Sequence, residues 1–223
     1  MAQAHIAAGS VVTLATDAVC TFTLNNFRIT DTRSRHNDTD YVSIAVAVGK
    51  KAPVTRTKSM GDVNNGTHTV NLSIPNIEVG PNEVVAFTYS IVNSGHNKSD
   101  VEKALEKVVS AAAQKGAAAG AGAAAGAIGG PIGSVVGAVG AEALSWVAGE
   151  LQGIIFANCD GPVAAGSYIF SGAQLLQLAK TGHPMSKTDE NKGTKSPTGC
   201  GGNSHYFVTW TLSAHAKQPA AKR

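Results

Sequence analysis

The chain has 223 residues, 43% hydrophobic and 15% charged, which excludes disorder of the whole chain and leaves room for one good core or two small ones. Its net charge of +3 is unevenly placed: residues 1–100 carry eight basic and eight acidic side chains, 101–180 carry four and five, and 181–223 carry six and two. The excess belongs to a polar C-terminal part with no reading helix or base-stacking platform, so nucleic acid is not an expected partner.

The first hundred residues read as strands. Residues 19–29 alternate in part, with Phe22, Leu24 and Phe27 among polar neighbours. Residues 41–48 place Val42, Ile44, Val46 and Val48 on one face, and residues 67–74 do the same with Val70, Leu72 and Ile74. A fourth run, 83–92, alternates Val85, Phe87, Tyr89 and Ile91 against the rest. Turn chemistry at 49–51, 61–66 and 80–82 separates them, which is the pattern of short antiparallel strands.

The period then changes. Ser99 and Glu102 have capping-box spacing, and Val101, Ala104, Leu105, Val108, Val109 and Ala112 repeat at helical intervals behind them, with Glu102, Lys103, Glu106 and Lys107 facing away. From Gly116 to Ala141 there follow 26 residues without a charge, broken by Gly129-Gly130-Pro131. The spacing predicts two antiparallel helices, at about 99–128 and 132–156. Strand-like sequence resumes at 163–170 and 205–214, while 181–204 is polar and reads as a long loop.

The expected fold is therefore α+β: an antiparallel β-sandwich, Ig-like or jelly-roll-like, with an inserted Gly/Ala-rich helical hairpin. The sandwich is discontinuous, 1–98 and 160–214, with the hairpin at 99–159 and a flexible tail at 215–223.

Glycines in the uncharged run recur every four residues: Gly116 and Gly120; Gly122, Gly126 and Gly130; Gly129, Gly133 and Gly137. Residues 116–140 resemble the glycine-zipper pattern of membrane-associated and pore-forming helices, in which such stripes let backbones approach closely. The resemblance implies helix packing or membrane contact at Gly122, Gly126, Gly129, Gly133 and Gly137, with Trp146 in the second arm. Glycine costs about 1 kcal/mol relative to alanine in a helix exposed to water, so nine glycines between 116 and 140 need close packing or lipid to offset them. Glu142 and Glu150 burden the second arm as a bilayer span, each by about 2.5–3.5 kcal/mol at the bilayer centre.

Of the three cysteines, Cys159 and Cys200 sit in loop sequence and are candidate disulfide partners; Cys20 lies in an apparent strand. Asp38, Asp40, Asp62 and Asn64 offer hard oxygen ligands of the kind calcium uses, against the ordinary reading of Asp and Asn as turn formers and against pairing of the carboxylates with Arg33 or Arg35. Apart from calcium no cofactor is expected. There is no G-x-S-x-G, H-E-x-x-H or P-loop, His96 and His205 have no partner evident in sequence, and a non-enzymatic protein is expected. Four N-x-S/T sequons, at Asn37, Asn65, Asn71 and Asn97, read as chance products of a Thr/Asn-rich β protein. The first twenty residues lack the apolar run of a secretory signal, so the expectation is a cytoplasmic chain or one secreted without a classical signal. Three functions stay open: a membrane-active, toxin-like protein; a self-assembling structural subunit packed through its hairpin as a homo-oligomer; and an extracellular calcium-dependent binding module.

Overall fold

The computed structural model describes residues 17–34, 38–124 (backbone only at 122–124), 149–150, 159–193, 200 and 203–217. Within them lie eight strands and two helices in the order β1 (Ala18–Asp31), β2 (Asp38–Val48), β3 (Val54–Val63), β4 (Gly66–Val79), β5 (Val84–Asn93), α1 (Lys98–Ala124), β6 (Gly161–Ser171), α2 (Gly172–Thr181), β7 (Met185–Lys192) and β8 (His205–Ala216). The strands form two four-stranded antiparallel sheets, ordered β4-β1-β8-β7 and β3-β2-β5-β6.

The period-two pattern explains the first sheet. β1 buries Ala18, Cys20, Phe22 and Leu24, then Phe27 and Ile29. The change of phase coincides with a bulge between Leu24 and Asn26, so one extra residue lets alternation resume on the same side. β8 buries Tyr206, Val208, Trp210 and Leu212, as its alternation requires. These side chains meet Val42, Ile44, Val46, Val85, Phe87, Tyr89 and Ile91 from the second sheet in one core, where Phe22 stacks on Phe87 at 5.1 Å between ring centroids.

In the second sheet β2, β5 and most of β6 are buried on both faces, while the edge strand β3 is largely exposed. The other face of this sheet is built of small side chains, Ala45, Ala47, Ala86 and Ala165, with Tyr41 and Val92, and α1 lies across it through Val101, Leu105, Val108, Val109, Ala113 and Ala117. Each such side chain removed from water stabilises by roughly 1–3 kcal/mol, alanine least. Lys103, Glu106 and Lys107 stay on the exposed side of α1.

The start of α1 differs from the expected capping box. Asn97, not Ser99, caps it: Asn97 Oδ1 accepts from Ser99 N at 3.0 Å and Ser99 Oγ at 2.9 Å, and the Asn97 carbonyl accepts from Val101 N. Glu102 instead approaches Lys98 at 3.9 Å, one turn away. The second arm, the break at Gly129-Gly130-Pro131, and Glu142 lie outside the described residues, apart from Gly149 and Glu150, which are helical. Glu150 Oε1 stands 3.9 Å from Lys115 Nζ, so the chain passes again beside α1.

Three elements stand where the sequence reading had none. β3 occupies a stretch left unassigned except for the turn at 61–66, β7 a stretch read as loop, and α2 follows β6 through a capping box in which Ser171 Oγ accepts from Gln174 N and the Gln174 side chain accepts from Ser171 N. Leu175 and Leu178 of α2 enter the shared core. β8 runs two residues further than expected, with Ala216 opposite Ala18.

Candidate functional site

The polar chemistry gathers where α1 leaves β5 and where the chain re-enters β6. Asp38 and Asp40 on β2 point into the molecule and are fully buried, because an even spacing on a strand puts both on the core side. Asp38 accepts from Arg33 N at 2.8 Å and Ser34 N at 2.7 Å, closing the loop before β2. The Tyr206 hydroxyl of β8 reaches both carboxyls, 2.8 Å from Asp38 Oδ2 and 2.9 Å from Asp40 Oδ2. Burial, and then the neighbouring Asp38 charge, hold Asp40 well above the usual carboxylate range; burial and both carboxylates push the Tyr206 phenol up.

Around this pair the two roots of the helical insertion are tied down. Asn93, the last residue of β5, accepts from Thr39 N at 2.9 Å and donates to Ser34 Oγ at 3.0 Å. Ser94 N donates to Thr39 O at 2.9 Å. Asp160, just before β6, accepts from Ser94 Oγ at 2.8 Å and Gly95 N at 3.0 Å, and lies 2.6 Å from His96 Nδ1. Arg33 Nε donates to Cys159 O at 2.8 Å, and Cys159 is disulfide-bonded to Cys200, as the loop positions of the two cysteines suggested. Burial lowers the Arg33 guanidinium from its ordinary value, while Asp38 and Asp160 act to raise it.

The Ser94, His96 and Asp160 cluster has the residue types of a nucleophile relay without its geometry. Ser94 Oγ stands 3.3 Å from Nδ1, the nitrogen already facing Asp160, and Ser94 is fully buried. A relay needs the hydroxyl on the other ring nitrogen. The arrangement fastens the two roots together.

A second buried knot joins the sheets. Asp189 Oδ2 on β7 accepts from Tyr89 of β5 and Trp210 Nε1 of β8, at 2.8 and 2.9 Å, and from Tyr168 of β6. Lys187 Nζ lies 3.3 Å from Asp189 Oδ1, an ion pair without hydrogen-bond alignment, and stands over the Tyr168 ring. Gly166 makes room for this knot, since a Cβ there would stand 2.5 Å from the Tyr89 ring. Alternation missed it because Asp189 and Asn191 are polar residues at inward positions of an otherwise exposed strand.

The four oxygen-bearing residues read as calcium candidates are not brought together. Asp62 is opposite Thr39 and accepts from its hydroxyl at 2.6 Å, on the other face of β2 from Asp38 and Asp40. Asn64 presents its carbonyl to His68 Nε2 at 2.7 Å. Among the described residues no group of three His, Cys, Asp or Glu side chains is placed to hold a metal ion. Cys20 is buried in β1 against Ile77 O, and burial pushes its thiol up to about 12.

The glycine stripe meets the protein's own sheet where it is described. A Cβ on Gly116 would stand 3.1 Å from Ala86 Cβ, and one on Gly120 would stand 2.6 Å from Ile169 Cγ2 and 2.7 Å from Val84 Cγ1. Gly122 lies in the last turns of α1, while Gly126, Gly129, Gly133, Gly137 and Trp146 lie outside the described residues. No helix among the described residues is long and apolar enough to cross a membrane.

No family model matches the chain, and no curated protein matches it either.

Proposed function

We propose that this chain is a non-enzymatic, self-assembling structural subunit, an antiparallel β-sandwich with jelly-roll-like connectivity whose Gly/Ala insertion serves protein packing. The sandwich reading rests on two sheets sharing one core, on four connections that pass between sheets, and on the first and last strands lying side by side.

One observation carries the functional reading: α1 beyond Lys115 has two small-residue sides. Gly116, Ala117 and Gly120 close against the sheet, whereas Ala118, Ala119 and Ala121 are exposed and uncharged. A second copy of the chain is the occupant we assign to the exposed side, because alanines allow close helix approach and Ala118, Ala119 and Ala121 themselves carry no charge to be desolvated, the Lys115–Glu150 pair lying one turn before them. A membrane-active reading that used Gly116 and Gly120 would require this part of α1 to leave its seat on the sheet.

Light scattering coupled to size exclusion tests the proposal. A discrete oligomer at tens of micromolar protein without lipid is expected, and Ala118→Glu with Ala121→Glu should return it to monomer. A monomeric wild type, or an oligomer indifferent to both charges, would overturn it. Flotation with liposomes, if it carried the protein up, would favour the membrane reading instead.

A further inference from the structure

Tyr206 has one hydroxyl hydrogen, yet its oxygen lies within hydrogen-bond distance of two carboxyls, Asp38 at 2.8 Å and Asp40 at 2.9 Å. One of those contacts needs a hydrogen from the carboxyl side. Both Asp38 oxygens already accept backbone N–H groups, from Ser34 and Arg33. Asp40 accepts none, and its Oδ1 is buried without a partner. An unpartnered carbonyl oxygen of a neutral acid costs far less than an unpartnered carboxylate oxygen.

We infer that Asp40 carries a proton in the folded protein and donates it to Tyr206, which donates in turn to Asp38, so that the base of the helical insertion is a latch closed by one proton and loosened by alkali. Among the described residues, the groups around Asp40 supply no compensating cation. β5 faces it with the amide residue Asn93 and β3 with Gly61. Lys58 of β3, opposite Val42, gives its ammonium to Val70 O, and His68 of β4 is engaged with Asn64 O. Arg33, a buried cation, interacts with Asp38 and Asp160 and donates to Cys159 O. Ionised Asp40 would therefore stand beside Asp38 in the same buried pocket.

The latch matters because of what it holds. Asp38 fixes Arg33 and Ser34, Ser34 is held by Asn93, and Arg33 reaches Cys159; Asn93 and Cys159 are the two ends between which the insertion runs. With a pKa raised on folding, the stabilisation from Asp40 is complete below the unfolded value of about 4 and is lost as pH rises through the folded value. Opening of the roots thus grows about tenfold per pH unit over that window and then levels off.

Amide hydrogen exchange of residues 93–97 and 160–165, corrected for the intrinsic pH dependence of exchange, measures this opening. The wild type should show the tenfold-per-unit rise while the β1–β8 pairing stays protected, and Asp40→Asn, which keeps a donor for Tyr206 but cannot ionise, should be flat. The same slope in Asp40→Asn overturns the inference. Since that variant is buried and its folding is not assured, the 13C carboxyl resonance of Asp40 in the wild type gives an independent reading. A neutral-acid shift at pH 6 is expected, and a carboxylate shift there overturns the proposal outright.

Discussion

Gly120 of α1 and Ile169 of β6 approach so closely that no side chain fits between them: a Cβ at 120 would be 2.6 Å from Ile169 Cγ2, with Val84 at 2.7 Å on the other side. Both neighbours are β-branched and stiff at χ1, so they cannot swing away cheaply. Gly120→Ala should destabilise by up to about 2 kcal/mol, because overpacking of about 1–3 kcal/mol is set against a helix-propensity gain of nearly 1 and both neighbours resist moving. Gly116→Ala, whose one tight neighbour is Ala86 at 3.1 Å, with Ser167 Oγ and Ile169 Cγ1 at ordinary contact distance, should stay within about 0.5 kcal/mol of wild type. Urea midpoints at constant m-value compare the two, and equal effects would contradict the seat described for the helix.

The Asp189 knot should be among the most sensitive polar positions. Asp189→Ala strands the hydroxyls of Tyr89 and Tyr168 and the indole N–H of Trp210 in the buried interior, which should cost about 3–5 kcal/mol. Tyr89→Phe removes one of three donors and should cost about 1–2 kcal/mol. Chemical denaturation decides it; a loss below about 1 kcal/mol for Asp189→Ala would mean that the sheets are joined by apolar packing alone.

The Cys159–Cys200 bond spans 41 positions and fastens the returning root of the insertion. In the chain-entropy account, reducing such a loop lowers stability by up to about 4 kcal/mol. Unfolding curves with and without dithiothreitol, and for the double serine variant, should agree on the size of that loss.

Cys20 should be silent in the native state. Its thiol is buried and pushed up to about 12, so almost no thiolate exists at pH 8 to attack a disulfide reagent. One thiol equivalent should appear with Ellman's reagent only after denaturation; prompt labelling of native protein would show that β1 opens readily.

Where side-chain chemistry and strand period agree, the sequence was a good guide. β2 and β5 could be read because their inward positions are Val, Ile, Phe and Tyr, and the helical stripe of α1 because Val101, Leu105 and Val109 recur at its spacing. β3 escaped notice because only Val63 among its residues is buried, leaving an edge strand of Thr, Arg, Lys and Ser. β7 escaped for the opposite reason, since its inward residues are Asp189 and Asn191, polar groups satisfied by partners more than twenty positions away in sequence, Tyr89 among them. The carboxyl pair at 38 and 40 was visible, but its partner Tyr206 is 166 residues from Asp40, a separation that local spacing cannot bridge. Two acids on one strand looked like cation ligands; a phenol from the opposite sheet makes them a proton-sharing pair.

The pairing of β1 with β8 gives the molecule two poles. Ala18 lies opposite Ala216, and Lys217 N donates to Asp17 O at 2.8 Å, whereas at the far end of the same strand pair Ile29 faces Tyr206 beside the roots of the insertion. Force applied through residues 17 and 217 would peel β1 from β8 one rung at a time, from the pole opposite Tyr206. A surface tether attached at that pole would present the roots outward and reach them last under load.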